Sequence, residues 1–256
     1  MAAVDRFAAG EDVWVARLGN LRNGVRQELI GRQLSAHVPD GASVLDVGCG
    51  QGTQAIRLAK RGCAVVGVDP STELLGRLAA DAQDAGVHVT THQGRIDDLA
   101  TTLRHRTFDV VCAHGLLMYL DDPDVALAAL AARLTPAGLL SITFRNGAAL
   151  AFRPGMRRRW QDALDAFDAH TYVNELGVDA HAQRLEDVTS SLSKLGLAID
   201  TWYGVRVFTD PASGDECVKD NEFDSLLRAE EEAGRRDPYR QLASQIHLVA
   251  RLGEIP

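Results

Sequence analysis

The stretch Leu45-Asp46-Val47-Gly48-Cys49-Gly50-Gln51-Gly52-Thr53 sets glycines at every second position between an apolar run and a helix-forming one. Backbone without Cβ atoms turns tightly there and brings its N–H groups to a ligand at the N-terminus of the following helix. The spacing selects the ligand. A dinucleotide fingerprint, G-x-G-x-x-G, needs its third glycine at position 53, which is Thr53. A G-x-G-x-G loop preceded by Asp46 suits a ligand bearing an ammonium group better than a pyrophosphate, so Asp46, Gly48, Gly50 and Gly52 are candidate cofactor contacts. Asp69 closes the next apolar run, where an acid reaches ribose hydroxyls in nucleoside-binding α/β folds. The competing reading of Asp69 is a cap on the helix that follows.

The order of segments predicts the architecture. A helical period over 20–37 stops at Pro39-Asp40-Gly41, and strands are expected over 43–47, 64–68, 87–91, 108–113 and 139–144. Helices are expected between them, over 53–61, from an N-cap at Ser71 to about 85, and over 123–134. Alternation at this pace means parallel βαβ units covered on both faces. A helix over 185–195, a strand over 197–208, a helix over 222–233 and a last strand over 245–251 complete the pattern. The prediction is one domain over 1–256: a doubly wound, mostly parallel, Rossmann-like seven-stranded α/β sheet. Residues 1–40 form a helical N-terminal cap, and 147–182 a polar, helix-prone insertion over the site.

Composition narrows the function. No apolar run approaches the roughly 20 residues of a membrane-spanning helix, and the N-terminus lacks the basic start and apolar core of a signal peptide, so a cytoplasmic protein is expected. Cys49, Cys63, Cys112 and Cys217 are widely spaced with no C-x-x-C pair and read as buried thiols; no metal site is expected. The net charge of −8 disfavours a broad nucleic-acid surface. It is polarised, however, because Phe144–Gln161 holds Arg145, Arg153, Arg157, Arg158 and Arg159 and no acid.

These residues resemble the class I S-adenosylmethionine-dependent methyltransferases in the acidic glycine loop, the acid ending strand two, the pair Asp97-Asp98 near the end of strand three, and Leu134-Thr135-Pro136-Ala137-Gly138 before strand five. The resemblance implies S-adenosylmethionine as cofactor, Asp69 on its ribose, Asp97 beside the adenine amino group with Ile96 packed on the ring, and Asp98 as the alternative. Over almost the whole chain there is a narrower similarity to the bacterial transferases that methylate 5-carboxymethoxyuridine in tRNA. It rests on Gly24-Val25-Arg26-Gln27, Gln54-Ala55-Ile56, His114-x-Leu116-Leu117-x-Tyr119-Leu120, Gly204-Val205-Arg206-Val207-Phe208-x-Asp210, Pro238-Tyr239 and Ile246-His247-x-x-Ala250-Arg251. It implies that Arg26, Gly52, Asp69, Asp97 and His114 contact the cofactor. The chain departs from that group in the insertion, where His170-Thr171-Tyr172-Val173-Asn174-Glu175 and further acids replace a lysine-rich run.

For the acceptor, Arg145, Arg206 and Tyr119 are candidate binding residues, and His114, His170 and Tyr172 candidate catalytic ones. Each has a plainer reading: a packed loop histidine for His114, a solvated surface for His170 and Tyr172, and a structural ion pair for Arg206, whose charge in an apolar strand requires an acid or a bound anion. His247 reads as a structural histidine, and Arg157–Arg159 more as a solvated face than a phosphate clamp. The expected function is O-methylation of a small molecule at a hydroxyl or a carboxylate, a carbohydrate included. The alternatives are tRNA carboxyl methylation and, from another class, a non-catalytic nucleoside-binding module or an NAD oxidoreductase.

Overall fold

The apolar runs read from the sequence pair into one sheet. The computed structural model of the protein describes residues 10–16, 19–212 and 220–253. Its strands are β1 (Ser43–Val47), β2 (Ala64–Asp69), β3 (Val89–Gln93), β4 (Phe108–His114), β5 (Leu134–Arg145), β6 (Thr171–Val173), β7 (Asp179–His181), β8 (Leu197–Val205) and β9 (Gln245–Leu252). Seven of them form a sheet of order β3-β2-β1-β4-β5-β9-β8. The first five run parallel and β9 antiparallel between β5 and β8.

Helices α1 (Glu11–Ala16), α2 (Leu21–Ser35), α3 (Thr53–Ala59), α4 (Thr72–Asp84), α5 (Leu99–Thr102), α6 (Pro123–Ala131), α7 (Phe152–Met156), α8 (Trp160–Ala166), α9 (Leu185–Lys194) and α10 (Asp220–Arg235) flank the sheet and its connections. Two apolar layers result. On one face Leu34, Val38, Leu58 and Leu78 meet Val44, Val65, Val110 and Val249. On the other, Leu99, Leu127, Leu130 and Leu192 meet Leu45, Val66, Val111, Leu140 and Leu248. Burial on both faces explains why these strands read as continuous apolar runs rather than alternating ones.

Three expectations are corrected. The strand expected to reach 208 stops at Val205, because Arg206 takes a left-handed backbone conformation, φ 61°. Strand β5 begins at Leu134 rather than 139, which ends α6 at Ala131. The insertion after β5 is only partly helical: β6 and β7 form a two-stranded antiparallel hairpin. Its turn is built by the Asn174 side chain, whose Oδ1 accepts from the N–H groups of Leu176 and Val178, and by Gly177 at φ 74°.

Cys49, Cys63 and Cys112 are free thiols, the last two buried; Cys217 lies outside the described residues, as do residues 1–9, where the leader reading falls. Among the described residues no helix is long and apolar enough to cross a membrane, and no group of three His, Cys, Asp or Glu is placed to hold a metal ion.

Candidate active site

The order of the sheet reverses between β1 and β4, and the crevice above such a switch point is where open α/β sheets bind ligands. A cavity of about 380 Å³ opens there, walled by the β1 and β2 loops, α1, α2, the segment after β4 and the β6–β7 hairpin.

One half is shaped by the glycine loop. Gly48 and Gly50 take positive φ, 70° and 53°, and line the cavity. Gly52 does not. At φ 79° it precedes α3, and a Cβ there would stand 2.4 Å from Leu78 Cγ, so this glycine admits α4 rather than a ligand, a correction to its assignment as a cofactor contact. Asp69 accepts from Gly50 N–H at 2.8 Å and Ser71 N–H at 2.9 Å, tying the loop to the end of β2. The side-chain cap of α4 is Ser71, whose Oγ accepts from Leu74 N–H, while Asp69 lines the cavity. Beneath the loop Asp46 is 4% exposed, and burial together with the nearby Asp69 carboxylate pushes its pKa up to about 7.

The other cofactor candidates arrive from three elements. Arg26, on α2, sets its guanidinium 4.9 Å over the Trp14 ring, and burial lowers it to about 10. Asp97 lines the cavity beside Ile96, whereas Asp98 accepts from Arg95 N–H and caps its own turn. His114 ends β4 with Nε2 2.9 Å from Ser141 Oγ; burial, then the nearby Arg26 charge, lowers it to about 3, so its imidazole is neutral at neutral pH.

The second half is lined with cations. Arg145, Arg153 and Arg206 converge on Asp210, which is 1% exposed: Arg153 reaches it through Nε at 2.7 Å and Nη2 at 2.8 Å, Arg206 at 3.3 Å and Arg145 at 3.8 Å. These guanidiniums hold the Asp210 carboxyl well below the usual range against the opposing effect of burial. Ser244 Oγ accepts from Arg145 and, at 2.8 Å, from Arg206. Arg22 donates two hydrogen bonds to Glu175, and Arg153 donates to the same carboxylate at 3.2 Å. The loop that carries Arg206 and Asp210 is itself anchored. Glu230 of α10, fully buried, accepts from the backbone N–H groups of Val207, Phe208 and Thr209 and from Thr209 Oγ1.

Tyr172 and Tyr119 close this half. Tyr172 packs under Arg145, whose Cζ is 5.3 Å from the ring centre, and Asn174 donates to Tyr119 Oη at 3.2 Å. Burial pushes both phenols up, so they stay protonated. His170 is not brought in. Its side chain is exposed, and its carbonyl accepts from Ala182 N–H beside the hairpin, which corrects its place among the catalytic candidates.

Among the described residues, several cavity-lining side chains carry buried atoms without a hydrogen-bond partner: the acceptors Gln54 Oε1 and His114 Nδ1 on residues of the glycine-loop half, and in the cationic half the donors Arg145 Nε and Arg206 Nε together with the acceptor Gln245 Oε1. Acceptors and the buried acids Asp46 and Asp69 fit a ligand with an ammonium group and ribose hydroxyls, so the residues present suit S-adenosylmethionine. Sequence reasoning missed Arg22, Trp14 and Ser244, and named Asp210 without its role. The signal for Asp210 was present in the need of Arg206 for an acid, which stands four residues later.

This sheet order, with an acidic glycine loop after β1 and an acid ending β2, defines a class I methyltransferase. The chain is an S-adenosylmethionine-dependent methyltransferase of this fold and uses S-adenosylmethionine as its cofactor. The family described as a methyltransferase domain matches residues 44–138, β1 to the start of β5. The chain is 29% identical over 235 residues to the tRNA 5-carboxymethoxyuridine methyltransferase of Escherichia coli (strain K12), covering 91% of this chain and 88% of that one. It is 28% identical over 249 residues to a ubiquinone biosynthesis O-methyltransferase of Rhizobium leguminosarum, covering 90% and 93%. Its fold is similar to that of an S-adenosylmethionine-dependent methyltransferase from Mesorhizobium loti, with TM-score 0.57, 21% identity and coverage of 86% and 96%. It is also similar to magnesium protoporphyrin IX methyltransferase from Synechocystis with bound SAH, with TM-score 0.61, 17% identity and coverage of 94% and 93%.

Proposed function

We propose that the chain methylates a carboxylate of a small-molecule acceptor, forming a methyl ester. The observation that carries this reading is the cationic half of the cavity, where Arg145, Arg153 and Arg206 share Asp210 and still present unpaired N–H groups on Arg145 and Arg206. A carboxylate supplies the missing charge and accepts both hydrogen bonds through its two oxygens; a neutral hydroxyl can accept a hydrogen bond but supplies no charge.

Among the described residues that line the cationic half, no group is shifted to a basic pKa near neutrality, and Asp46, at about 7, stands under the glycine loop in the other half. A hydroxyl acceptor must lose a proton during transfer, which calls for a base poised near neutrality. His114 at about 3 is a weak base, and the phenols of Tyr119 and Tyr172 are held protonated. A carboxylate with its pKa of about 4 is already ionised and requires only positioning.

Bound S-adenosylmethionine would supply an activated methyl group on a sulfonium sulfur, the neutral thioether being the leaving group. Asp46 would hold the ammonium end, Asp69 the ribose and Asp97 the adenine side, while Arg26 would meet the cofactor carboxylate. The arginine cluster orients the acceptor oxygen, and Tyr119, Tyr172 and the hairpin exclude water from the reacting atoms.

The surface favours a small acceptor over tRNA. Within the strip 157–159, Arg157 donates to the carbonyls of Pro211 and Ala212 and the charge of Arg159 is paired with Asp162, on a chain of net charge −8. The similarity to the tRNA enzyme keeps tRNA as the second reading, since its nucleoside also carries a carboxymethoxy group. Labelled methyl transfer to cell extract divided into RNA and small-acid pools tests the choice. Label in the small-acid pool, insensitive to ribonuclease, is expected; label confined to RNA would show the second reading to be right.

A further inference from the structure

Four polar side chains form a continuous hydrogen-bonded line from the cavity wall through the sheet to the helix behind it. His114 Nε2 of β4 lies 2.9 Å from Ser141 Oγ of β5, Ser141 Oγ lies 2.8 Å from His247 Nε2 of β9, and His247 Nδ1 lies 2.7 Å from Gln33 Oε1 of α2. Ser141 and His247 are fully buried, Gln33 is 1% exposed, and the two imidazoles meet edge to face at 5.5 Å.

The line has a direction. Burial lowers both histidines, so each ring is neutral and carries one proton. The Gln33 oxygen can only accept, which puts the His247 proton on Nδ1 and leaves a lone pair on Nε2. Ser141 must then donate its hydroxyl proton to His247 and accept from His114 Nε2–H. His114 Nδ1 is left as a bare lone pair, and it has no partner among the described residues. The line does not serve as a proton store, since a proton passed along it would leave an imidazolium at fully buried His247.

The place of His114 supplies the occupant. Parallel pairing of Asp46 with Cys112 sets His114, two residues on, level with Gly48 of the glycine loop. Of the two buried acids at that loop, Asp69 is bonded to Gly50 N–H and Ser71 N–H while Asp46 lies beneath the turn, so the group expected beside Asp46 is the ammonium of the cofactor, which has three N–H donors and needs more than one acceptor. We propose that Gln33, His247 and Ser141 are positioning residues that lock His114 as its neutral Nε2–H tautomer, so that His114 Nδ1 accepts a hydrogen bond from the ammonium group of the bound cofactor.

The test combines imidazole ¹⁵N spectra with calorimetric binding of S-adenosylhomocysteine, which carries the same ammonium group, to the full chain. In the parent protein His114 is expected as the Nε2–H tautomer, its Nδ1 resonance moving on addition of the ligand. Ser141→Ala and Gln33→Leu are expected to give a mixture of His114 tautomers and to weaken binding in proportion to the Nε2–H fraction that is lost, about twofold for an equal mixture and about tenfold where nine rings in ten carry Nδ1–H. An Nδ1–H tautomer in the parent overturns the proposal, as does an Nδ1 resonance indifferent to the ligand or a variant with altered tautomers and unchanged affinity. The parent spectra decide the matter if either variant fails to fold. If S-adenosylhomocysteine does not bind at all, the reading of the cavity as the cofactor site fails instead.

Discussion

Asp46 places a carboxylate under the glycine loop at a cost to the apo protein. Its pKa rises from 3.8 to about 7, first through burial and then through the neighbouring Asp69. Because the folded value lies above the unfolded one, the folded state binds the extra proton, and stability present at acid pH is lost as the pH rises through the interval between them. At about 1.4 kcal/mol per pH unit the whole interval corresponds to about 4 kcal/mol. Asp46→Asn keeps the shape and removes the titration. In urea unfolding without ligand the variant should be the more stable protein near neutrality, by a margin that widens by about 3 kcal/mol between about pH 5 and about pH 8. It should also bind S-adenosylhomocysteine at least about tenfold more weakly at the higher pH, having lost a charge-assisted partner of the ammonium group. Parallel pH profiles for variant and parent, or undiminished affinity, would refute the assignment of Asp46 as a buried counter-charge.

Three further outcomes follow from the geometry. Asp210→Asn leaves one buried and two partly buried guanidiniums without their shared acid and should cost about 3–5 kcal/mol in chemical denaturation. Because its pKa is depressed, the contribution of Asp210 is fully present above the ordinary carboxylate range and disappears only as the pH falls well below it. Gly52→Ala combines a left-handed residue, at about 1–2 kcal/mol, with a collision at Leu78, and should lower the thermal midpoint. Gly50→Ala meets only Leu74 at 3.9 Å and should spare the fold more than Gly52→Ala does while weakening S-adenosylhomocysteine binding in calorimetry. Replacing Arg157, Arg158 and Arg159 together with Ala should leave transfer to a small acid within about twofold in a labelled-methyl assay; a steep loss that tracks salt would indicate phosphate contacts.

The sequence disclosed what depends on neighbours along the chain. Strand β1 and the Ser71 cap were legible at their observed positions, because an apolar run before a glycine loop and a serine before a helix are local signals. That Asp69, Asp46 and Asp97 would stand at the crevice was legible for the same reason, since each lies near a strand end or in the turn beyond one, and all three line the cavity. The acceptor half was not. Its organising contacts, Arg153 with Asp210 and Arg22 with Glu175, join residues 57 and 153 positions apart, and only folding brings them together. Gly52 shows the limit of a motif, because a glycine that admits a neighbouring helix and one that admits a ligand look alike in one dimension. His247 read as a structural histidine, which describes its burial and misses its bond through Ser141 to His114. The insertion read as helix-prone because its polar residues hide a three-residue strand pair, too short for a period-two signal.

The atom that receives the methyl group separates a carboxyl methyltransferase from the other classes. Incubation of the protein with methyl-labelled S-adenosylmethionine and a small-acid pool, followed by mild alkali, distinguishes an ester from an ether or an amine. The label should be released as volatile methanol, and Arg206→Met should abolish its incorporation while leaving S-adenosylhomocysteine binding in place. Label that survives alkali on a small molecule would contradict carboxyl methylation, and would place the acceptor oxygen or nitrogen outside the carboxylate class that the buried arginines imply.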